Sequence, residues 1–464
     1  MKSALPAFAL AGCAALAATS AWALPDLARG RAAADRGDVT AAEADLVPLA
    51  ERGYLEAQTR LARLYGSQDT PESISKSVEW ARLASEQDPA MRTVLARGLM
   101  RMGPAGDPAE IDQLLQELVS DNDTAARPLQ LRLYRELPQL ADRQKVAVLA
   151  QTVAASPIVE ERAEAIAWYR ANREADPGYE NALVTMCEKD RKQVEECYAD
   201  LSRYFRKTND AEGQKRLRKE LVERFEGGKV SDVAIERVAR NLSADDQGGK
   251  ADVPAAYALF MKIKNPSPTV TARKARLLIQ QPALDPGAKP EEMLRDAYAK
   301  GSLEAALQLG RMYMDEVNPS ADATEAARLL NEALPAFPSA HVWIGRLYER
   351  GYYGLPEPKK ALEHYLAAAR VGNPNADYAL ARMYTVNRGV KVDPVLAYSF
   401  ASIAESAGHV GAAEITTQLR STMTPQQLAR AQQIAHAETA ARQAALALPQ
   451  TDAARVAAVG EKNP

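Results

Sequence analysis

Small and apolar residues return every third or fourth position through most of this chain, and no strand signal interrupts them. The pattern is clearest between Glu291 and Gly411. There Gly301-x3-Ala305-x3-Leu309-Gly310-x2-Tyr313 comes back as Ala336-x3-Ala340-x3-Ile344-Gly345-x2-Tyr348, and again as Gly372-x3-Ala376-x3-Leu380-Ala381-x2-Tyr384. The three tyrosines stand 35 and 36 residues apart, and Gly372 and Gly408 keep the same step of 36. A period in this range predicts stacked helical hairpins. Spacings of four place alanine and leucine on one helix face, where a small residue lets a neighbouring helix approach. Leu309, Gly310, Ile344, Gly345, Leu380 and Ala381 are therefore expected to pack. Tyr313, Tyr348 and Tyr384 are expected to fill the gaps between hairpins, one per repeat.

The same template occurs once near the start, as Gly53-x3-Ala57-x3-Leu61-Ala62-x2-Tyr65, which adds Tyr65 to the packing set. Arg36-Gly37-Asp38 reads as the turn of a first hairpin beginning at Leu27, and Thr70-Pro71-Glu72 as the start of a companion helix reaching Leu83. Residues 90–290 keep the helical period but blur the motif, with Leu131, Leu133 and Tyr134, and then Leu201, Tyr204 and Phe205, echoing its ending. Thr424-Pro425-Gln426-Gln427 is a capping signal for a last helix to about Leu448. The expected organisation is an export signal over 1–23, N-terminal repeats over 24–89, degenerate repeats over 90–290, clear repeats over 291–423, the helix 424–448 and a frayed tail 449–464. The fold class is all-α, a helical-hairpin solenoid, and the template resembles tetratricopeptide or Sel1-like repeats, which implies a right-handed superhelical twist.

Composition narrows the function. The chain has 464 residues, a net charge of −3 and an isoelectric point near 6.0, so no basic field recruits nucleic acid. No internal window reaches the roughly 18 apolar residues of a membrane span. The N-terminus does read as a targeting segment: Lys2, then an apolar run from Ala4 to Ala18. Ala21-Trp22-Ala23 is a small-x-small cleavage site that would leave Leu24 first. Leu10-Ala11-Gly12-Cys13 instead matches a lipobox that would lipidate Cys13, although only twelve residues precede that cysteine. Cleavage after Ala23 is preferred, and both routes export the chain to the periplasm or the outer-membrane face.

Chemistry is sparse. His341, His364, His409 and His436 have no partner three to five residues away, so they are read as surface or packing residues, with no metal site. There is no phosphate-cradling loop, nucleophile elbow or dinucleotide fingerprint, and no catalytic residue or cofactor is assigned. Cys187 and Cys197 are the cysteines left after cleavage at Ala23, and in an oxidising compartment they are expected to pair. Ten residues of unbroken helix span about 15 Å, beyond disulfide reach, so a turn is needed within Glu188–Gln193. Basic clusters such as Arg203 to Lys207 and Lys215 to Lys219 are interleaved with acids and read as solvated helix faces. An anionic polysaccharide could touch such a face, since arginine favours carboxylates.

Leu309-Gly310-x2-Tyr313 through Ala368-Ala369-x2-Gly372 resembles the Sel1-like subclass of tetratricopeptide repeats. Other stretches are similar to the scaffold family of alginate secretion: Glu349-Arg350-Gly351-Tyr352-Tyr353-Gly354 before Lys360-Ala361, Asn387-Arg388-Gly389-Val390, Cys187-x9-Cys197-Tyr198, and the opening Leu24-Pro25-Asp26. The resemblance implies a non-catalytic outer-membrane lipoprotein of the periplasm that supports the outer-membrane alginate porin and binds other periplasmic alginate proteins. One departure stands out. The family's lipidated cysteine falls at about Ala21, where this chain has none, so either Cys13 replaces it or partners hold the chain at the membrane. The rival readings are a helical-toroid polysaccharide lyase or hydrolase, and a Sel1-like adaptor for another polymer or a signalling system.

Overall fold

The computed structural model describes residues 24–243, 249–314, 322–352, 354–386 and 389–447, with side chains as far as Arg442. The export segment 1–23 with Cys13, the tail 449–464, Tyr353, Asn387 and Arg388 lie outside the described residues. Among the described residues the chain forms 24 α-helices and no β-strand. The starts repeat one device. Thr70, Asp107, Asp176, Ser267, Asn373 and Asp393 each accept a backbone N–H from the first turn, and a proline follows each of them. The cap satisfies an orphan donor, and proline at the first helical position loses no hydrogen bond there. Thr424 and Gln427 close the reciprocal version: Thr424 N–H donates to the Gln427 amide oxygen at 2.9 Å, and Gln427 N–H to the Thr424 hydroxyl at 3.3 Å.

The chain divides into two compact units between Trp168 and Tyr169. In the first, the hairpins Leu27–Asp35 with Val39–Ala50 and Leu55–Gly66 with Pro71–Ser85 enclose Ala42, Leu46, Ala57 and Leu61, all fully buried. Tyr65 is buried beside them and donates its hydroxyl to Glu43 in the preceding hairpin. Tyr134 does the same to Asp112 at 2.6 Å, and burial pushes its hydroxyl up to about 12. A tyrosine bound to an acid 22 residues earlier thus ties consecutive hairpins together.

The second unit contains the three clear copies: Leu303–Tyr313 with Ala323–Ala333, Ala340–Arg350 with Pro358–Arg370, and Pro374–Thr385 with Pro394–Ser406. Leu309, Ile344 and Leu380 are buried in their cores. The template's two kinds of glycine separate here. Gly301 and Gly372 sit at φ +86° and +83° with open space where a Cβ would be, so they serve the left-handed backbone of a turn. Gly310 and Gly345 serve packing. A Cβ on Gly310 would stand 2.7 Å from Leu330 Cγ, and one on Gly345 2.6 Å from Cε1 of the fully buried Tyr365. In the third copy Ala381 lies in one core with Phe400 and Ala401.

The tyrosines divide as well. Tyr313 is buried and reaches Glu291 of the preceding hairpin at 3.3 Å, and Tyr348 packs against the cores on both sides of it. Tyr384 instead stacks on Phe400 of its own hairpin, with ring centres 6.1 Å apart. The last helix, Pro425–Ala447, lies on Pro394–Ser406, and its Arg442 grips Asp377 at 2.9 and 3.0 Å with both side chains buried.

Gly345→Ala gains about 1 kcal/mol of helix propensity but forces a methyl into a buried ring, which costs about 1–3 kcal/mol. The variant is expected to unfold at lower temperature than wild type, and to lose more than Gly310→Ala, where the flexible Leu330 can move. Thermal unfolding followed by circular dichroism checks this; a Gly345→Ala protein more stable than wild type would refute it.

Candidate functional site

In the second unit, the first helix of hairpin after hairpin carries an arginine at one position. Arg240, Arg276, Arg311, Arg346 and Arg382 follow one another at 36, 35, 35 and 36 residues, with Arg203 ahead of them and Arg237 and Arg273 one turn earlier. The repeat that spaces the hairpins thus spaces the guanidinium groups. Most of these side chains line three cavities. One of about 320 Å³ holds Arg170, Arg173, Arg203, Arg237 and Arg240, with Glu196 and Asp200. A second of about 570 Å³ shares Arg240 and adds Arg273, Arg276, Arg311 and Arg346, with Glu304, Trp343, Asn373 and Asn375. A third of about 510 Å³ has Arg276, Gln308, Arg311, Trp343 and Arg346 in common with the second.

Charges at the first cavity are largely paired. Arg170 donates to Asp200 at 2.7 Å, Arg203 to Glu174 at 2.7 Å, and Arg237 lies 3.2 Å from Glu196. Even so, Arg170 Nη2, Arg203 Nε and Arg240 Nε are buried without a partner among the described residues. The larger cavities are less balanced. Arg273 pairs with Glu236. Arg276 donates to the neutral Ser243 hydroxyl at 2.8 Å and leaves its Nε buried and unpartnered. Arg311 has, among the described residues, the Gln308 amide oxygen as its hydrogen-bond partner, at 3.1 Å. Arg311 and Arg346 both stack on Trp343, with their guanidinium carbons 4.5 and 4.6 Å from the ring centre.

Burial, together with Arg276 and Arg346 alongside, pulls Arg311 down to about 10, and burial lowers Arg240 and Arg276 as well. Like charges held close in a partly dry site disfavour their own ionised form. What relieves them is an anion, and a guanidinium fork suits a carboxylate, phosphate or sulfate best.

Cys187 and Cys197 join in a disulfide with their Cα atoms 4.9 Å apart, across the turn that follows helix Pro177–Asp190. Both are fully buried. Cys197 opens the helix that carries Asp200 and Arg203, so the bond pins that helix at the edge of the first cavity. Closing a loop of this length contributes about 3 kcal/mol. Cys187, Cys197 and Asp200 form a compact group of ligand-type atoms, but the disulfide-bonded sulfurs offer no thiolate to a metal.

One reading from the sequence changes. Arg203 and Arg206 are not on a solvated face: Arg203 lines the first cavity, and the buried Arg206 donates to the carbonyl oxygens of Asn241, Gly249 and Lys250. The next hairpin covers that side of the helix, which interleaved charge cannot reveal, whereas Lys215 and Lys219 are exposed. Two of the histidines, read as surface or packing residues, meet each other. His341 and His364, 23 residues apart, meet Nδ1 to Nδ1 at 2.8 Å, with Tyr348 stacked on His364. A fold-back of 22 to 23 residues, as between Tyr65 and Glu43, was the signal that could have found them. His409 stacks on Tyr378 with ring centres 4.2 Å apart, and His436 is exposed. The packing set Tyr65, Leu309, Gly310, Tyr313, Ile344, Gly345, Tyr348, Leu380, Ala381 and Tyr384 lines none of the three cavities.

Comparison with known proteins matches this architecture. The family model described as the AlgK tetratricopeptide repeat domain matches residues 179–264, and the Sel1 repeat model matches 55–89, 303–334, 338–373 and 374–409. The chain is 27% identical over 435 residues to the alginate biosynthesis protein AlgK of Pseudomonas syringae pv. tomato, covering 92% of this chain and 89% of that one. It is 28% identical over 435 residues to the AlgK of Azotobacter vinelandii, covering 90% and 92%. With the AlgK of Pseudomonas aeruginosa it is 28% identical over 444 residues, covering 93% and 91%. The resemblance read from the sequence thus extends along nearly the whole chain.

Two outcomes follow from the electrostatics. Arg311→Met removes a desolvated charge that no acid among the described residues hydrogen-bonds, with Glu304 its one acidic neighbour, so the variant is expected to unfold at the same temperature as wild type or higher; a marked fall would show that Arg311 is a structural tie. Burial holds His341 and His364 below the ordinary imidazole value, so the unfolded chain takes up more protons on acidification. Their contribution is complete above about pH 6.5 and is lost as pH falls through the depressed values. Asp377, pushed up to about 6 by burial, acts with the opposite sign, so the check is a difference. The fall in thermal midpoint from pH 7 to pH 5 should be shallower in a His341→Gln/His364→Gln protein, and an unchanged slope would refute the assignment.

Proposed function

We propose that this chain is a non-catalytic periplasmic scaffold for an alginate biosynthesis and secretion complex, docking the outer-membrane porin and periplasmic alginate proteins. The observation that carries the proposal is the similarity to proteins named alginate biosynthesis protein AlgK over about nine tenths of both chains. The build is in keeping with it. Capped, tightly packed hairpins present their surfaces with little rearrangement on binding. Leu355, between the helices of one Sel1 hairpin, and Val410, just past the last Sel1 stretch, are 83% and 94% exposed, apolar groups that a partner could cover. The export signal read over 1–23 supports a periplasmic place, with the outer membrane reached through Cys13 or through the partners.

The lyase or hydrolase reading finds its tyrosines engaged elsewhere: Tyr65, Tyr134, Tyr313 and Tyr365 all donate to carboxylates in the packed interior or its edge. The adaptor reading shares the fold and differs only in partner.

In a strain lacking this chain, alginate in the medium should fall sharply and return with the intact gene. The tagged full chain should co-purify with the porin and periplasmic alginate proteins, and Leu355→Glu/Val410→Glu should reduce that capture without lowering the thermal midpoint. Undiminished alginate secretion in the deletion strain would overturn the proposal, and capture of another polymer's machinery would favour the adaptor reading. Depolymerisation of alginate by the purified protein would favour the enzyme.

A further inference from the structure

The row of arginines does more than the scaffold reading requires. Packing alone would pair each guanidinium with an acid, as Arg170, Arg203 and Arg237 are paired. Where the two larger cavities overlap, the pairing stops. Arg276, Arg311 and Arg346 stand on three successive hairpins, and their hydrogen-bond partners among the described residues are the neutral Ser243 and Gln308. Glu304, the acid of that wall, is buried and already accepts from Gln308 at 2.9 Å. Holding three guanidinium groups together so is destabilising, and groups kept at such a cost are candidates for binding. Trp343 holds two of them over its ring, with their guanidinium carbons 4.5 and 4.6 Å from its centre, which limits their freedom before any ligand arrives.

We propose that Arg276, Arg311 and Arg346, with Trp343 in contact with the last two, form a binding site for a linear polycarboxylate, a chain of uronate sugars whose carboxylates bridge successive hairpins. The guanidinium forks take the carboxylates, and Asn373 and Asn375 at the same wall offer amides to hydroxyl groups. The regular step argues for a polymer. One arginine per hairpin at 35 and 36 residues gives like charges at a constant interval, which matches a ligand that repeats its charge. An acidic segment of a partner protein would need a single cluster and no repetition. Arg240 and Arg382 continue the row at either end. That the polymer is a polyuronate rests on the proposed alginate role; that the site takes a linear polyanion does not.

Isothermal titration of the full chain with uronate oligomers of increasing length provides the test. Affinity should rise with length until the oligomer bridges the three hairpins, while neutral dextran oligomers should not bind. Arg311→Gln and Arg346→Gln should each weaken binding at least about tenfold, the loss of one charge-assisted pair. Arg311→Lys should not restore it, because an ammonium cannot grip a carboxylate with two parallel bonds. Equal affinity in the wild type and the Arg276→Gln/Arg311→Gln/Arg346→Gln protein would overturn the proposal. Equal or tighter binding of polyglutamate would also overturn it, and would assign the site to an acidic peptide.

Should the triple variant fail to fold, hydrogen exchange on wild type decides. Uronate oligomers should slow exchange across Leu303–Tyr313 and Ala340–Arg350, and no change there would overturn the site. Failure of this binding leaves the scaffold role standing. Undiminished secretion in the deletion strain removes the alginate role while leaving binding in vitro.

Discussion

The close approach of two helices inside each hairpin is the constraint on which the rest of the second unit depends. Gly310 and Gly345 remove a side chain where Leu330 and Tyr365 press in, and that contact sets the level at which the two helices cross. Once the level is fixed and the hairpins recur every 35 or 36 residues, any residue placed once per repeat becomes a row. The left-handed turns at Gly301 and Gly372 then reset the chain for the next helix without using packing space. In the first unit, tyrosine-to-carboxylate bonds from Tyr65 and Tyr134 tie two of the hairpins to the ones before them.

The arginines follow from the same register but work against stability. Most of them gather at three adjoining cavities. Salt bridges to Asp200, Glu174, Glu196 and Glu236 offset part of the repulsion. The overlap at Arg276, Arg311 and Arg346 is left with one shared acid, Glu304, and with Trp343 as a flat support. Removing a partner from a paired arginine would strand a charge, whereas removing Arg311 would relieve one. That asymmetry separates binding side chains from structural ones within a single row.

Much of the fold was legible because it is periodic. Leu309, Ile344 and Leu380 advertise a buried face by spacing alone, and Thr70-Pro71 and Thr424-Pro425 mark helix starts through local chemistry. The site was far less legible. The arginine series is as periodic as the tyrosines, but a charged residue is read by default as solvated, and nothing local says that the next hairpin covers Arg203 and Arg206. His341 and His364 were hidden for a related reason. A search for pairs one helical turn apart misses partners that meet only when a hairpin folds back over 23 residues. Likewise Gly301 and Gly310 look alike in the template, and only backbone angles and neighbouring atoms separate their roles.

The central claim is that a repeat register built for packing also aligns guanidinium groups for a repeating anion. A crystal structure of the full chain with a bound uronate oligomer tests it most directly. The account predicts carboxylates seated on Arg276, Arg311 and Arg346, one sugar chain crossing consecutive hairpins beside Trp343. An oligomer bound elsewhere, with those three arginines untouched, would contradict it.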